Sequence, residues 1–278
     1  MAVKKKTSTV AKLDNGSIQI TFTVPWKTIE EKRGSVAEKM AANATIPGFR
    51  KGKAPLDKAI KHLPQDQLTE NTLSEILPKM FADVINEEDL KPAIYPKFEL
   101  LHAHEGEDWQ VRATTCEIPS IEFKTEYKKA LKSIKLGEKA TKEEKENAVI
   151  EKLIEIIDSV VPEMLVEEEV NSRLASLLQR LESIGLSLEN YLASIKKTAP
   201  ELRDEYSDQA TKSIILDIAL QEIAEKEAIK ISDKEVDEYL KVVSSSNQTK
   251  ATFDDNQKRT VRLFLSKRKT LDHLVTLV

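Results

Sequence analysis

Ser17-Ile18-Gln19-Ile20-Thr21-Phe22-Thr23-Val24 alternates polar and apolar side chains without a break. Successive side chains of a strand point to opposite faces, so this period of two predicts a β-strand with one buried face. A second alternation, Trp109, Val111, Ala113 and Thr115, predicts another strand. It pairs with a strand around Phe98–Leu101 through a turn over His102–Asp108. Between these strands the spacing predicts helices at 27–43, 55–62 and 66–89. In the last of these Leu73, Ile76, Leu77, Met80, Phe81 and Val84 recur at helical intervals. Pro78 is expected to kink or interrupt that helix, because it lacks an N–H and its ring clashes with the preceding turn. The first part of the chain, residues 1–118, therefore reads as an α+β domain.

Outward from there the pattern changes. Eight of the ten prolines lie at or before Pro119. From residue 141 onward the chain reads as an elongated all-α domain, 141–278, so the protein is mostly helical. Thr141-Lys142-Glu143-Glu144 is a capping-box pattern, followed by Val149, Leu153, Ile156, Ile157 and Val160 on one face. Pro162 suits a first helical position and opens a helix striped by Val170, Leu174, Leu177, Leu178 and Leu181. Gly185 is its expected terminator. Helices follow at 187–197 and 200–227, and Ser232-Asp233-Lys234-Glu235 repeats the capping box. Ser244–Thr252 reads as a polar loop before a last helix from about 254 to Val278. Residues 119–140, polar and Lys-rich, read as an extended connector.

Composition excludes several classes of function. Glycine is scarce, 7 in 278 residues, which argues against glycine-rich phosphate loops and flexible linkers. Apolar runs are far shorter than the ~18 residues a membrane span needs. The basic start, Met1-Ala2-Val3-Lys4-Lys5-Lys6, runs into Thr7 with no apolar stretch of signal-peptide type. A single cysteine, Cys116, forms no intramolecular disulfide and reads as a buried structural thiol. These features together lead us to expect a cytoplasmic protein with no membrane partner. Charge is uneven: residues 1–60 carry 12 Lys/Arg against 5 Asp/Glu, a net of +7, while the remainder carries 31 against 42, a net of −11. A basic end on an acidic body suits docking on an anionic surface.

The segment Ile46-Pro47-Gly48-Phe49-Arg50-Lys51-Gly52-Lys53-Ala54-Pro55 is the candidate site. Two glycines and flanking prolines constrain a loop whose tip presents an aromatic beside two cations. Between 46 and 62 there are five Lys/Arg and one Asp. A phosphate-binding P-loop does not fit, since three residues rather than four separate Gly48 from Gly52, and Ala54 follows Lys53. His102 and His104, two apart with Glu105 and Asp108 nearby, read as solvated side chains in a turn rather than as metal ligands. No nucleophile, acid–base pair, cofactor site or metal site is assembled by the sequence.

Gly48-Phe49-Arg50-Lys51-Gly52-Lys53-Ala54-Pro55 resembles the ribosome-docking signature of the trigger factor family, bacterial chaperones at the exit of the ribosomal tunnel. The order of elements over 15–118 is similar to that family's ribosome-binding domain. Val161-Pro162-Glu163-Met164-Leu165-Val166-Glu167 and Leu188-Glu189-Asn190-Tyr191-Leu192 resemble its helical substrate-binding domain. The resemblance implies a ribosome-binding loop of Gly48, Phe49, Arg50, Lys51, Gly52 and Lys53. Phe49, Arg50 and Lys51 would then touch a large-subunit protein and rRNA beside the tunnel mouth, and unfolded or nascent polypeptides would be the clients. It also admits a homodimer. Family members usually insert a prolyl isomerase domain of the FK506-binding type between the two parts, and some twenty residues at 119–140 are too few for one. The function expected is an ATP-independent, ribosome-associated chaperone without enzymatic activity. The rival readings are a nucleic-acid-binding protein using the basic end, and a prolyl isomerase by family label.

Overall fold

The computed structural model describes residues 8–43, 49–50, 55, 58, 60, 62–137, 140–246 and 253–278. The chain divides into two compact units, Met1–Ile118 with Pro162–Leu165, and Pro119–Val161 with Val166–Val278.

In the first unit, strands β1 (Ser8–Lys12), β2 (Ser17–Val24), β3 (Lys97–His102) and β4 (Trp109–Cys116) form an antiparallel sheet in the order β1-β2-β4-β3. The alternation in β2 puts Ile18, Ile20, Phe22 and Val24 into the core. Opposite them in register lie Thr115, Ala113, Val111 and Trp109 of β4. Gly16, with φ +77°, closes the β1–β2 turn in a region that costs other residues strain. Helices α1 (Trp26–Asn43) and α2 (Gln65–Glu87) accompany the sheet, and α2 contributes Leu73, Ile76, Leu77 and Val84 to the cluster. Of the kink or interruption expected at Pro78, the interruption does not occur, and α2 runs through it. Burial on both sides of it, at Leu77 and Val84, holds the helix together across the missing N–H. The strand β1 is not predicted from sequence: it is a short edge strand, and its Val10 only partly joins the core.

The second unit holds helices α3 (Tyr127–Lys132), α4 (Lys142–Ile156), α5 (Glu163–Ser183, beyond its first turn), α6 (Leu188–Ile195), α7 (Ala199–Lys226), α8 (Asp233–Ser246) and α9 (Asp255–Val275). Capping boxes at Thr141/Glu144, Thr198/Glu201 and Asp254/Gln257 open α4, α7 and α9. The Ser232 hydroxyl and backbone likewise exchange hydrogen bonds with Glu235 at the start of α8. After α5 the Gly185 N–H reaches the Glu182 carbonyl at 3.0 Å and the Leu186 N–H reaches Leu181 at 2.9 Å. With φ +68° at Gly185, this is the expected glycine stop.

Three expectations need correction here. Residues 119–140 are not an extended connector. Strand β5 (Glu122–Phe123) pairs with β6 (Ile157–Asp158), and Tyr127, Ala130 and Leu131 of α3 are buried with Val149, Leu153, Ile223 and Leu274. Those three positions have helical i, i+3, i+4 spacing, but the lysines around them mask it in the composition. The apolar face of α4 also ends sooner than its sequence suggests: Ile157 enters β6 and Val160 is exposed. Finally, helix α8 continues to Ser246, into the stretch expected as a loop, while residues 247–252 lie outside the described residues. Among the described residues no helix is long and apolar enough to cross a membrane.

Candidate functional site

The first turns of α1 and α2 are each braced. The Asp108 carboxylate accepts a hydrogen bond from the Trp26 N–H at 2.9 Å, tying the first turn of α1 to the β3–β4 hairpin. At the start of α2, Gln65 holds the incoming chain. Its Nε2 donates to the carbonyls of Ile60 and Leu63 at 2.8 and 3.0 Å, and its Oε1 accepts from Arg33 at 2.7 Å. Val36, Ala37, Leu63 and Leu68 form a small core beneath it, joined by Met40 and Ile60. Lys39 and Glu75 pair across the two helices at 2.6 Å, which holds the Glu75 carboxyl below its ordinary value. A cavity of about 600 Å³ opens beside this brace, lined in part by Val36, Met40, Leu63 and Pro64.

On this base, Phe49 is half-buried and Arg50 is exposed. The Lys58 ammonium lies 5.5 Å from the Phe49 ring centroid, a cation–π contact that orients the ring without burying it. The His62 Nδ1–H donates to the Lys58 carbonyl at 2.9 Å, which fixes the backbone carrying that lysine. The structure thus brings together an aromatic face and the cations Arg50 and Lys58. Gly48, Lys51, Gly52 and Lys53, the other predicted site residues, lie outside the described residues, as does much of the 55–62 helix. The Phe49–Lys58 contact is absent from the sequence reading because only the loop's path joins positions nine apart.

Other candidates carry no chemistry. His102 and His104 meet edge to face at 4.5 Å, and His102 Nε2 sits 2.7 Å from a Glu107 oxygen, an exposed pair. Among the described residues no three His, Cys, Asp or Glu side chains converge as a metal site requires. Cys116 is buried, and that burial pushes its thiol up from the ordinary value and away from nucleophilic use.

In the helical unit the apolar side chains left in solvent are a second set of interest. Ile184 is 72% and Phe264 51% exposed, joined by Leu178, Val242 and Leu263. Phe264 stacks obliquely on Tyr239 at 5.5 Å. The sequence pattern placed Leu178 on the buried stripe of α5, where it does not lie; helical spacing alone does not separate a core position from one at the stripe's margin.

Comparison with known proteins covers both units. Residues 6–153 match the family model described as bacterial trigger factor protein (TF), and residues 121–276 match the model of its C-terminus. The two matched stretches overlap over 121–153. Trigger factor of Caldicellulosiruptor saccharolyticus is 31% identical over 104 residues, 37% of this chain and 24% of that protein. Trigger factor of Staphylococcus aureus (strain JH9) is 24% identical over 284 residues, 96% of this chain and 65% of that protein. The chain thus spans less than two thirds of the length of these relatives. A solved chain, from work on promiscuous substrate recognition in folding and assembly activities of the trigger factor chaperone, superposes with a TM-score of 0.64. It does so over 96% of this chain and 99% of its own, at 14% identity, a likeness of fold.

Proposed function

The chain belongs to the bacterial trigger factor family, and on that premise we propose that it is a cytoplasmic, ribosome-associated chaperone that works without ATP. The loop Gly48–Lys53 docks on the large subunit beside the tunnel exit, with Phe49, Arg50 and Lys51 touching protein and rRNA. The helical unit, residues 119–278, holds unfolded or nascent segments by mass action, lowering the free concentration of aggregation-prone chain. Exposed Ile184, Leu178 and Phe264 are its candidate client contacts. A homodimer is the proposed resting state away from ribosomes. No isomerase step is assigned, since the two matched stretches overlap and leave no inserted domain between them.

The observation that carries this reading is the half-buried Phe49 beside exposed Arg50 and Lys58, on a loop whose ends are braced by Gln65 and a private core. An aromatic held open next to cations contributes little to folding and suits an anionic, partly apolar partner. Co-sedimentation with ribosomes tests it. Phe49→Ala/Arg50→Ala/Lys51→Ala should abolish pelleting while the circular-dichroism spectrum stays unchanged, and wild-type binding should weaken as salt rises. Pelleting by the triple variant at the wild-type level would sink the assignment. A fragment of residues 119–278 should suppress client aggregation without pelleting. Proline-limited refolding, tens of seconds when uncatalysed, should not accelerate on adding the protein.

A further inference from the structure

Strand β3 lies at an edge of the sheet and pairs with β4 alone among the described strands. An edge strand presents unpaired N–H and C=O groups, the template on which another extended chain can add. The α2 helix packs its Leu73 and Leu77 over the sheet's central strands and leaves β3 partly uncovered. Between the two a groove of about 830 Å³ opens, floored by Leu73, Leu77, Phe98, Leu100 and Val111. Leu100 is 40% and Tyr95 at its mouth 74% exposed, unusual positions for large apolar groups flanking a cavity. On the rim stand exposed Asp66 and Glu70, four residues apart on α2, a spacing at which like charges repel. Among the described residues neither has an ion-pair partner, and no lysine or arginine lines the groove.

We propose that β3 and this groove are a second peptide site, which takes an extended, unfolded segment as an added strand. Strand addition supplies main-chain hydrogen bonds, and its period of two sends alternate side chains to one face. Aliphatic or aromatic residues at alternate positions enter the groove against Leu100 and Phe98. A lysine or arginine on the same face reaches Asp66 and Glu70 with its charged end while its stem covers apolar surface. The register shift between Leu100 and His102 ends regular pairing, so the edge used is the stretch around Phe98–Leu100. The occupant is therefore a short segment of apolar residues punctuated by basic ones. The site adds to the holding function proposed above but does not depend on the loop or on the helical unit.

The test uses the full chain and fluorescein-labelled nine-residue peptides, read by anisotropy. One alternates valine and serine with a lysine on the valine face; a second carries glutamate instead of lysine; a third is the lysine peptide N-methylated at alternate residues. The lysine peptide should bind, and the glutamate peptide should bind about five-fold more weakly, the scale of exposed charge pairs. N-methylation removes backbone donors and should weaken binding about tenfold or more. Leu100→Gln should lose binding, and Asp66→Lys/Glu70→Lys, on an exposed helix face, should reverse the charge preference. Undiminished binding of the lysine peptide by both variants would overturn the proposal by placing the peptide elsewhere, as would indifference to N-methylation. A concentration-dependent dimer that Leu100→Gln dissolves, with no binding of the lysine peptide, would assign the edge to a second copy of the chain and overturn it too.

Discussion

The sheet-bearing unit and the helical unit bury apolar surface in different ways. In the first, β2, β4, α1 and α2 all feed one continuous cluster that runs from Ile18 to Ala113, with a small satellite of Val36, Ala37, Leu63 and Leu68. In the second, burial is divided among three clusters: one joins α3, α4, α7 and α9, another lies between α5 and α7 around Val170 and Ala210, and a third centres on Leu177, Leu181 and Leu202. A shared core couples every element to every other, whereas serial cores permit local opening at less than the global cost. Under the proposed function, a rigid platform suits a loop that meets a fixed surface, and locally adjustable helices suit clients of varied shape.

The two tryptophans, Trp26 and Trp109, both lie in the sheet-bearing unit, so their fluorescence isolates it from the helical ellipticity of the other. Phe22 is fully buried at the centre of the shared cluster. Phe22→Ala should cost about 3–5 kcal/mol. It should lower the denaturant midpoint seen by tryptophan in one cooperative step, with little change in helical ellipticity at low denaturant. A tryptophan transition that stays put would break the contrast between the units.

Leu181→Ala probes the opposite case. It should cost about 2–4 kcal/mol within its own cluster. Hydrogen exchange should accelerate across the end of α5, α6 and the start of α7, and remain slow in α4 and α9. Acceleration throughout the unit would mean the three clusters act as one.

Legibility in the sequence varied within each unit. β2 was readable because all four of its inward side chains are large and apolar. β1 was not, since its one partly buried aliphatic gives no alternation to read. The helix starts at Thr141 and Ser232 were readable from a hydroxyl residue three positions before a glutamate, because that chemistry is local. Tyr127, Ala130 and Leu131 were hidden among lysines whose long stems lie over apolar neighbours; the Lys128 ammonium, for example, lies 6.0 Å from the Tyr127 ring centroid. At the candidate site the residue types were legible, and the Gln65 brace and the groove beside β3 were not, as both are made by residues remote in sequence.

A smaller effect is expected where a helix stop lacks its glycine. After α7 the Ala228 N–H reaches the Glu225 carbonyl at 3.1 Å and the Ile229 N–H reaches Ala224 at 2.9 Å, the same closure as at Gly185. Here, however, an alanine holds φ +50°. A Cβ in that region is strained, so Ala228→Gly should stabilise the helical unit by about 1 kcal/mol despite the glycine's extra unfolded-state freedom. An unchanged or lower thermal midpoint would show that the strain is relieved by its surroundings.

The smallest effect tests whether α8 is tied to α9 by charge. Glu235 accepts hydrogen bonds from the Ser232 backbone N–H, from Lys269 of α9 at 2.9 Å and from the Ser232 hydroxyl, which draw its carboxyl down to about 2. A carboxyl depressed in the folded state contributes stability that is complete above its ordinary value near 4.5 and is lost as pH falls through its folded value. Wild type should therefore be more stable than Glu235→Gln at pH 7, and the gap should close between about pH 4.5 and pH 2 as the carboxylate takes up its proton. The group is exposed, so the difference is small and the Lys269 share should shrink in salt, while the share from the Ser232 N–H, a local cap, should persist. Other carboxyls held below their ordinary value by a helix cap, Glu201 and Glu144 among them, are common to both proteins and cancel when the two melting profiles are subtracted. A difference between the profiles that stays constant from pH 7 to pH 2 would mean that glutamine caps α8 and pairs with Lys269 as the carboxylate does, and that α8 is held to α9 by its other contacts, Arg262 with Asp233 and Phe264 with Tyr239 among them.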